Sequence, residues 1–171
     1  MGITIHFEGQ LKDETSLDAV LSLTRCFCEE RSWPFESINE SCITLKRVRD
    51  EKDWDYIGPT KGIVVQPHEN SEPFRLEFDK DYYLQEYTKT QFAPIEVHIA
   101  LVSLLRQLVP HFASLDVVDE GEFYTTSDQG TLEGHINRCF EVLDDYLAQA
   151  DKYYGPIRLA SKRIVDVMSR D

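Results

Sequence analysis

PIEVHIALVSLLRQLVPHFASLDVVDEGEFY, residues 94–124, is the stretch on which the fold turns. Its first half is apolar around most of a helical circumference. At 100° per residue, Ile95, Val97, Ile99, Leu101, Val102, Leu104, Leu105, Leu108 and Val109 cover roughly 220° of the wheel, leaving Glu96, Ser103, Arg106 and Gln107 a narrow polar strip. A helix lying on a protein surface needs only a narrow apolar stripe, so this one is expected to be covered on most sides. Pro94 suits its start, where a missing N–H costs nothing. His98 falls inside the apolar arc, between Leu105 and Val109. An imidazole there is either a core group bonded to a fixed partner or the floor of a pocket between sheet and helix. The second half reads as two strands, Leu115–Val118 and Glu122–Thr126, joined at Asp119-Glu120-Gly121.

Outward from this stretch the periodicity changes twice. Residues 3–8 alternate, with Ile3, Ile5 and Phe7 on one face and Thr4, His6 and Glu8 on the other, as in a half-buried strand. A one-sided helix follows from about Ser16, capped by Thr15 or Ser16 and ended by Pro34. From Pro34 to Gln91 a period of two returns: Ser41–Val48, Gly62–Gln66, Pro73–Phe78 and Tyr82–Thr88 are expected strands, and Phe35–Ile38 is a weaker fifth. Asp79-Lys80-Asp81 and His68-Glu69-Asn70-Ser71 supply the turns. Arg49–Lys61 reads as a long charged loop carrying Trp54 and Tyr56, aromatics placed to contact a ligand as a lid. Thr131–Ala150 is an amphipathic helix, and Ile157–Met168 is expected as a last, basic helix that could pack a homodimer. Strand–helix alternation is missing. The order therefore predicts one α+β domain over residues 1–171: a mostly antiparallel sheet of about six to seven strands, helices on one face, and the first strand and central helix near the middle.

Composition narrows the function classes. The 171 residues carry a net charge of −13, and between Ala113 and Asp151 ten acids face one base, Arg138. Phosphate backbones repel such a surface, which disfavours nucleic acid and favours a basic protein partner, with Glu141, Asp144 and Asp145 as its contact residues. No apolar run approaches the ~20 residues that span a bilayer. The N-terminus lacks a basic region followed by an apolar stretch, so the cytoplasm is the expected compartment. Cys26 and Cys28 project about 200° apart on a helix, no Cys-x-x-Cys occurs, and neither a cofactor nor a zinc site is expected.

Four constellations remain as candidates for chemistry. His6 and Glu8 share a strand face, as a proton-transfer pair would. His68, Glu69 and Glu72 cluster around a turn and combine metal-ligating types without metal-ligand spacing. Asp116, Asp119, Glu120 and Glu122 offer oxygens, but not the spacing of a calcium loop. Lys89 and Thr90 precede the central helix, whose N-terminal amides could join them around an anion. Phosphate-loop, dinucleotide-binding, nucleophile-elbow and His-Glu-x-x-His signatures are all missing.

The opening Gly2-Ile3-Thr4-Ile5-His6-Phe7-Glu8-Gly9, with Leu11-Lys12 after it, resembles the start of a family of uncharacterised bacterial proteins; Lys89-Thr90-Gln91 and Asp119-Glu120-Gly121 are similar to later stretches of it. The resemblance implies no activity and carries over no functional residue. Two expectations stand: a non-catalytic protein that binds a basic macromolecule, or a small-molecule or divalent-metal enzyme with its site near His98.

Overall fold

The structure, a computed structural model, describes residues 2–170. Strand β1 (Thr4–Leu11) leads into helix α1 (Glu14–Arg31). Asp13 caps α1, its carboxylate accepting from Ser16 N at 2.7 Å, so the cap lies two residues before Thr15. Ser32, at φ 56°, ends the helix, and Trp33 N reaches back to Cys28 O. Strand β2 (Phe35–Leu45) merges the two strands expected on either side of Asn39, with a register shift between Glu40 and Ile43.

The expected loop over 49–61 is instead mostly strand: β3 (Val48–Arg49) and β4 (Lys52–Asp53) form a tight hairpin, and β5 (Tyr56–Val65) runs on through Gly62. Its charged side chains belong to the solvated faces of strands, which alternation alone did not separate from loop. Strands β6 (Phe74–Phe78) and β7 (Tyr83–Lys89) follow. Asp79 builds the turn between them, its Oδ1 accepting from Asp81 N at 2.8 Å and Tyr83 N at 3.0 Å.

Helix α2 (Ile95–Leu108) is the long apolar helix, and a single 3-10 turn at Val109–His111 delivers the chain to β8 (Phe112–Asp119). Two expectations fail after this point. Glu122–Thr126 is not a strand returning along β8; Phe123–Thr126 coils into the short helix α3, because the Asp119 carboxylate binds Gly121 N and Tyr124 N, each at 2.8 Å. After α4 (Gln129–Leu147), residues 157–168 are not a helix. They form paired short strands, β9 (Tyr153–Tyr154) with β12 (Met168–Ser169), and β10 (Ile157–Arg158) with β11 (Ile164–Val165). The basic helical face proposed for a homodimer therefore does not exist. Among the described residues no helix is long and apolar enough to cross a membrane.

The class is α+β with antiparallel sheets. Its six long strands divide into two three-stranded sheets, ordered β7-β1-β8 and β2-β5-β6. β6 and β7 are consecutive and share the Asp79 turn, yet they belong to different sheets. Among the described residues, backbone bonds join them only at the ends, from Asp79 N to Tyr83 O and from Glu72 N to Lys89 O. Between those ends the two sheets part.

One face of each sheet is covered. Ile5, Phe7 and Leu84 from the first, with Ile63, Val65, Phe74, Leu76 and Phe78 from the second, join α1 and α2 in one apolar cluster. Six residues of α2 from Val97 to Leu108 belong to it, so the helix is covered as its wheel requires. Each fully buried Leu or Phe contributes about 2 kcal/mol of transfer free energy. At Gly62 the neighbouring strand comes so close that a Cβ would lie 1.7 Å from Leu76 O, and only glycine fits.

Candidate functional site

On the faces turned away from the apolar cluster, the parting of the sheets leaves a cleft of about 940 Å³. That volume is within the usual range for small-molecule sites. Strand parity decides what lines it. His6 and Glu8 project from β1 opposite to Ile5 and Phe7; their cross-strand partners Tyr87 and Gln85 on β7, and Val118 and Asp116 on β8, project the same way. Ile43 and Leu45 bring an apolar side from the other sheet, and Val48 adds to it from the β3–β4 hairpin. Arg75, Glu77 and Glu86 line the seam where β6 and β7 part, and Arg163 enters from the C-terminal segment.

Arg47 and Arg163 brace the two ends of that seam, beside its backbone bonds. At one end Arg47, 4% exposed, donates to Asp79 Oδ2 at 2.8 Å and to Tyr83 O at 3.0 Å. Within the second sheet, beside the seam, Glu77 accepts from Thr60 Oγ1 at 2.8 Å and from Arg75 at 3.2 Å. At the other end Arg163 spans Glu72 at 3.2 Å and Glu86 at 3.3 Å, donates to Tyr87 O and stacks 3.7 Å above the Tyr87 ring. Burial pushes the Glu86 carboxyl above its ordinary range, against the pull of Arg163 and Arg75. Burial, then the nearby Glu8 carboxylate, push the Tyr83 phenol up to about 12.

The carboxylates on the β1–β8 side are differently placed. Glu8 and Asp116 are direct cross-strand partners, so two like charges face each other on one sheet surface. Glu8 Oε2 accepts from Gln85 Nε2 at 2.6 Å, and the same amide bonds both backbone groups of Val48. Among the described residues neither Glu8 nor Asp116 has an ion-pair partner, and Asp53 at the cleft rim has none either.

The residues singled out from sequence are distributed unevenly around this cleft. His6 and Glu8 do come together in it, although His6 Nε2 leans 3.8 Å from Glu120. Trp54 and Tyr56 stand beside Arg47 with ring centroids 5.7 and 5.3 Å from its guanidinium, and Tyr56 Oη donates to Pro59 O. They brace Arg47 rather than line the cleft. Lys89 Nζ is taken by Asp166 at 2.8 Å and by Ile164 O, away from the start of α2.

Thr90 and His98 are buried partners. Thr90 Oγ1 is 2.8 Å from His98 Nδ1, and His98 Nε2, which must carry a proton to bond a carboxylate, is 3.1 Å from Asp119. His98 is 1% exposed and lines none of the three cavities described for the fold. Burial alone would raise the Asp119 pKa, but His98 and the amides of Tyr124 and Gly121 hold it below the usual range. The histidine thus ties α2 to the start of α2's approach at Thr90 and to the end of β8.

The other candidates do not converge. Glu72, 2% exposed, accepts from Lys89 N at 3.0 Å and Ile164 N at 2.7 Å besides Arg163, while His68 Nδ1 accepts from Asn70 N. Among the described residues no three His, Cys, Asp or Glu side chains are grouped to hold a metal ion. Glu141, Asp144 and Asp145 are exposed on α4. Sequence reasoning missed Glu86, Arg75, Arg163 and Tyr87. The alternation of polar residues along β1 and β7 is the signal that could have found Tyr87; Arg163 gave none, because its partners lie 76–91 residues away.

Comparison with protein-family models, with curated proteins and with solved structures gave no match to this chain.

Proposed function

We propose that this is a non-catalytic binding protein that receives a basic segment of a macromolecular partner in the cleft between its two sheets. The opposed Glu8–Asp116 pair carries the reading. Two like charges placed directly across an antiparallel ladder cost stability, and an arriving ammonium or guanidinium relieves that cost while the apolar side at Ile43, Leu45 and Val118 takes its aliphatic stem. The net charge of −13 supports the same partner by long-range attraction. The acids of α4 form a second surface on which a basic partner could rest.

The test is a thermal-shift and NMR titration with defined lysine-containing and glutamate-containing peptides, repeated on Glu8→Gln/Asp116→Asn and on Glu141→Gln/Asp144→Asn/Asp145→Asn proteins. Binding of the lysine peptide alone, lost in the first variant, is the expected result. Loss only in the second variant moves the interface to α4, and equal binding of both peptides removes the charge-based reading.

A second reading, a small-molecule site in the same cleft, is supported by Glu86, a buried carboxyl held above its ordinary range where a ligand could meet it. A metabolite panel in the same thermal-shift assay separates it, because a ligand binding only the folded state raises the midpoint.

A further inference from the structure

We infer that the partner docks at the rim of the cleft, by strand addition to the free edge of β8, with a basic side chain opposite Asp116 that turns into the cleft toward Glu8; this rests on the binding reading above and specifies its geometry. Backbone direction fixes which groups are available. On β1 the odd-numbered residues face β7, as Leu11 N to Tyr82 O and Thr90 N to Ile3 O show, and the even-numbered ones face β8, as Glu120 N to Thr4 O shows. His6, Glu8 and Gln10 therefore exchange bonds with Val118, Asp116 and Ser114. Leu115 and Val117 turn their N–H and C=O groups the other way, outward from the sheet.

Nothing among the described residues takes those outward groups. β8 is the terminal strand of its sheet, and no backbone or side-chain bond to Leu115 or Val117 exists beyond the ladder. Ser114, Asp116 and Val118 are exposed beside them, Val118 to 64%. An added strand would bond Leu115 and Val117 and set its intervening side chain against Asp116, on the face where Glu8 also lies.

Charge selects the occupant. A second copy pairing symmetrically about Asp116 would set one Asp116 against another, and like charges directly opposite across a ladder are destabilising. A lysine or arginine at that position meets Asp116 and Glu8 together. The partner is thus an extended protein segment of the pattern apolar–basic–apolar.

The experiment uses the full chain, 15N-labelled, and two acetylated, amidated pentapeptides, Thr-Val-Lys-Val-Thr and Thr-Val-Glu-Val-Thr. A third probe is the lysine peptide N-methylated at both valines, and light scattering follows the protein alone. Strand addition predicts that the lysine peptide shifts the Leu115 and Val117 amides and slows their exchange. N-methylation should weaken it about tenfold, since backbone bonds are lost with the charge unchanged. Val117→Pro, which removes only an outward N–H, should do the same if the variant folds; the N-methylated probe decides the matter if it does not. Should the N-methylated peptide bind as tightly as its parent, strand addition is overturned while the basic-segment reading survives. Equal binding of the glutamate peptide, or no binding of any, overturns both. Concentration-dependent dimerisation through Leu115 and Val117 replaces the foreign strand with a second copy.

Discussion

Replacing Asp119 tests whether His98 is a brace of the fold. Three donors converge on the Asp119 carboxylate: His98 Nε2 at 3.1 Å, and the amides of Gly121 and Tyr124 at 2.8 Å. Alanine leaves all three without their acceptor. The two amides should each cost about 1 kcal/mol and the buried imidazole N–H about 2 kcal/mol, for a total of roughly 3–4 kcal/mol. With a urea slope of about 2 kcal/mol/M, the unfolding midpoint should fall by about 1.5–2 M. Trp33, packed on Phe27, gives a fluorescence probe inside the core region.

The loss should depend on pH. Asp119 is held below its ordinary value of 3.8, so its stabilisation is complete above that pH and disappears as pH falls through the lower folded-state value. Asp119→Asn should therefore be weaker than wild type at pH 7 and approach it as the pH falls below 3.8 through the folded-state value. A penalty under about 1 kcal/mol, or one that does not shrink as the pH falls through the lowered folded-state value of Asp119, would refute the brace.

Three other perturbations bear on the cleft. Asp116→Asn should stabilise the protein by about 0.5 kcal/mol in urea unfolding, because it removes a like-charge pair; a loss of stability would show that the carboxylates do not repel. Arg163→Ala should cost about 2–3 kcal/mol, since Glu72 and Glu86 lose their shared cation, and should open residues 153–170 to limited proteolysis; unchanged protease resistance contradicts the role given to Arg163. Glu86 works opposite to Asp119. Burial raises its folded pKa above 4.5, so the stability it contributes is present below that pH and is lost as pH rises through the folded value. The advantage of wild type over Glu86→Gln should shrink from pH 4 to pH 7, and a widening advantage contradicts burial as the cause.

The parts of the fold that rest on local periodicity were legible. α1 and α2 declare themselves through the spacing of Leu17, Val20 and Phe27 and of Val97, Leu101, Leu105 and Leu108. β1, β6 and β7 follow from alternation, and the Asp79 turn from its composition. Misreadings cluster where a distant side chain decides the backbone. Ile157, Ile164, Val165 and Met168 suggest a helix, but Arg158 reaches Glu69 O and Ser71 O, Arg163 reaches Glu72 and Glu86, and those bonds favour short extended pieces. Residues 122–126 alternate like a strand until the Asp119 carboxylate turns them into α3. For the cleft, sequence alone placed His6 beside Glu8 on one strand face. It did not show that Asp116 stands opposite Glu8 across 108 positions, since register between strands so far apart is a property of the assembled sheet.

The central place of β1 has a consequence in time. Its residues leave the ribosome well before their ladder partners, residues 83–89 and 112–119. At about 5–20 residues per second, Ile5 and Phe7 wait several seconds for either neighbour. Strands β2, β5 and β6 are made contiguously in that interval and can pair without β1. The sheet that carries Glu8 and Asp116 is therefore the later of the two to close during synthesis, and the apolar face of β1 must be kept from other chains until residue 119 has emerged.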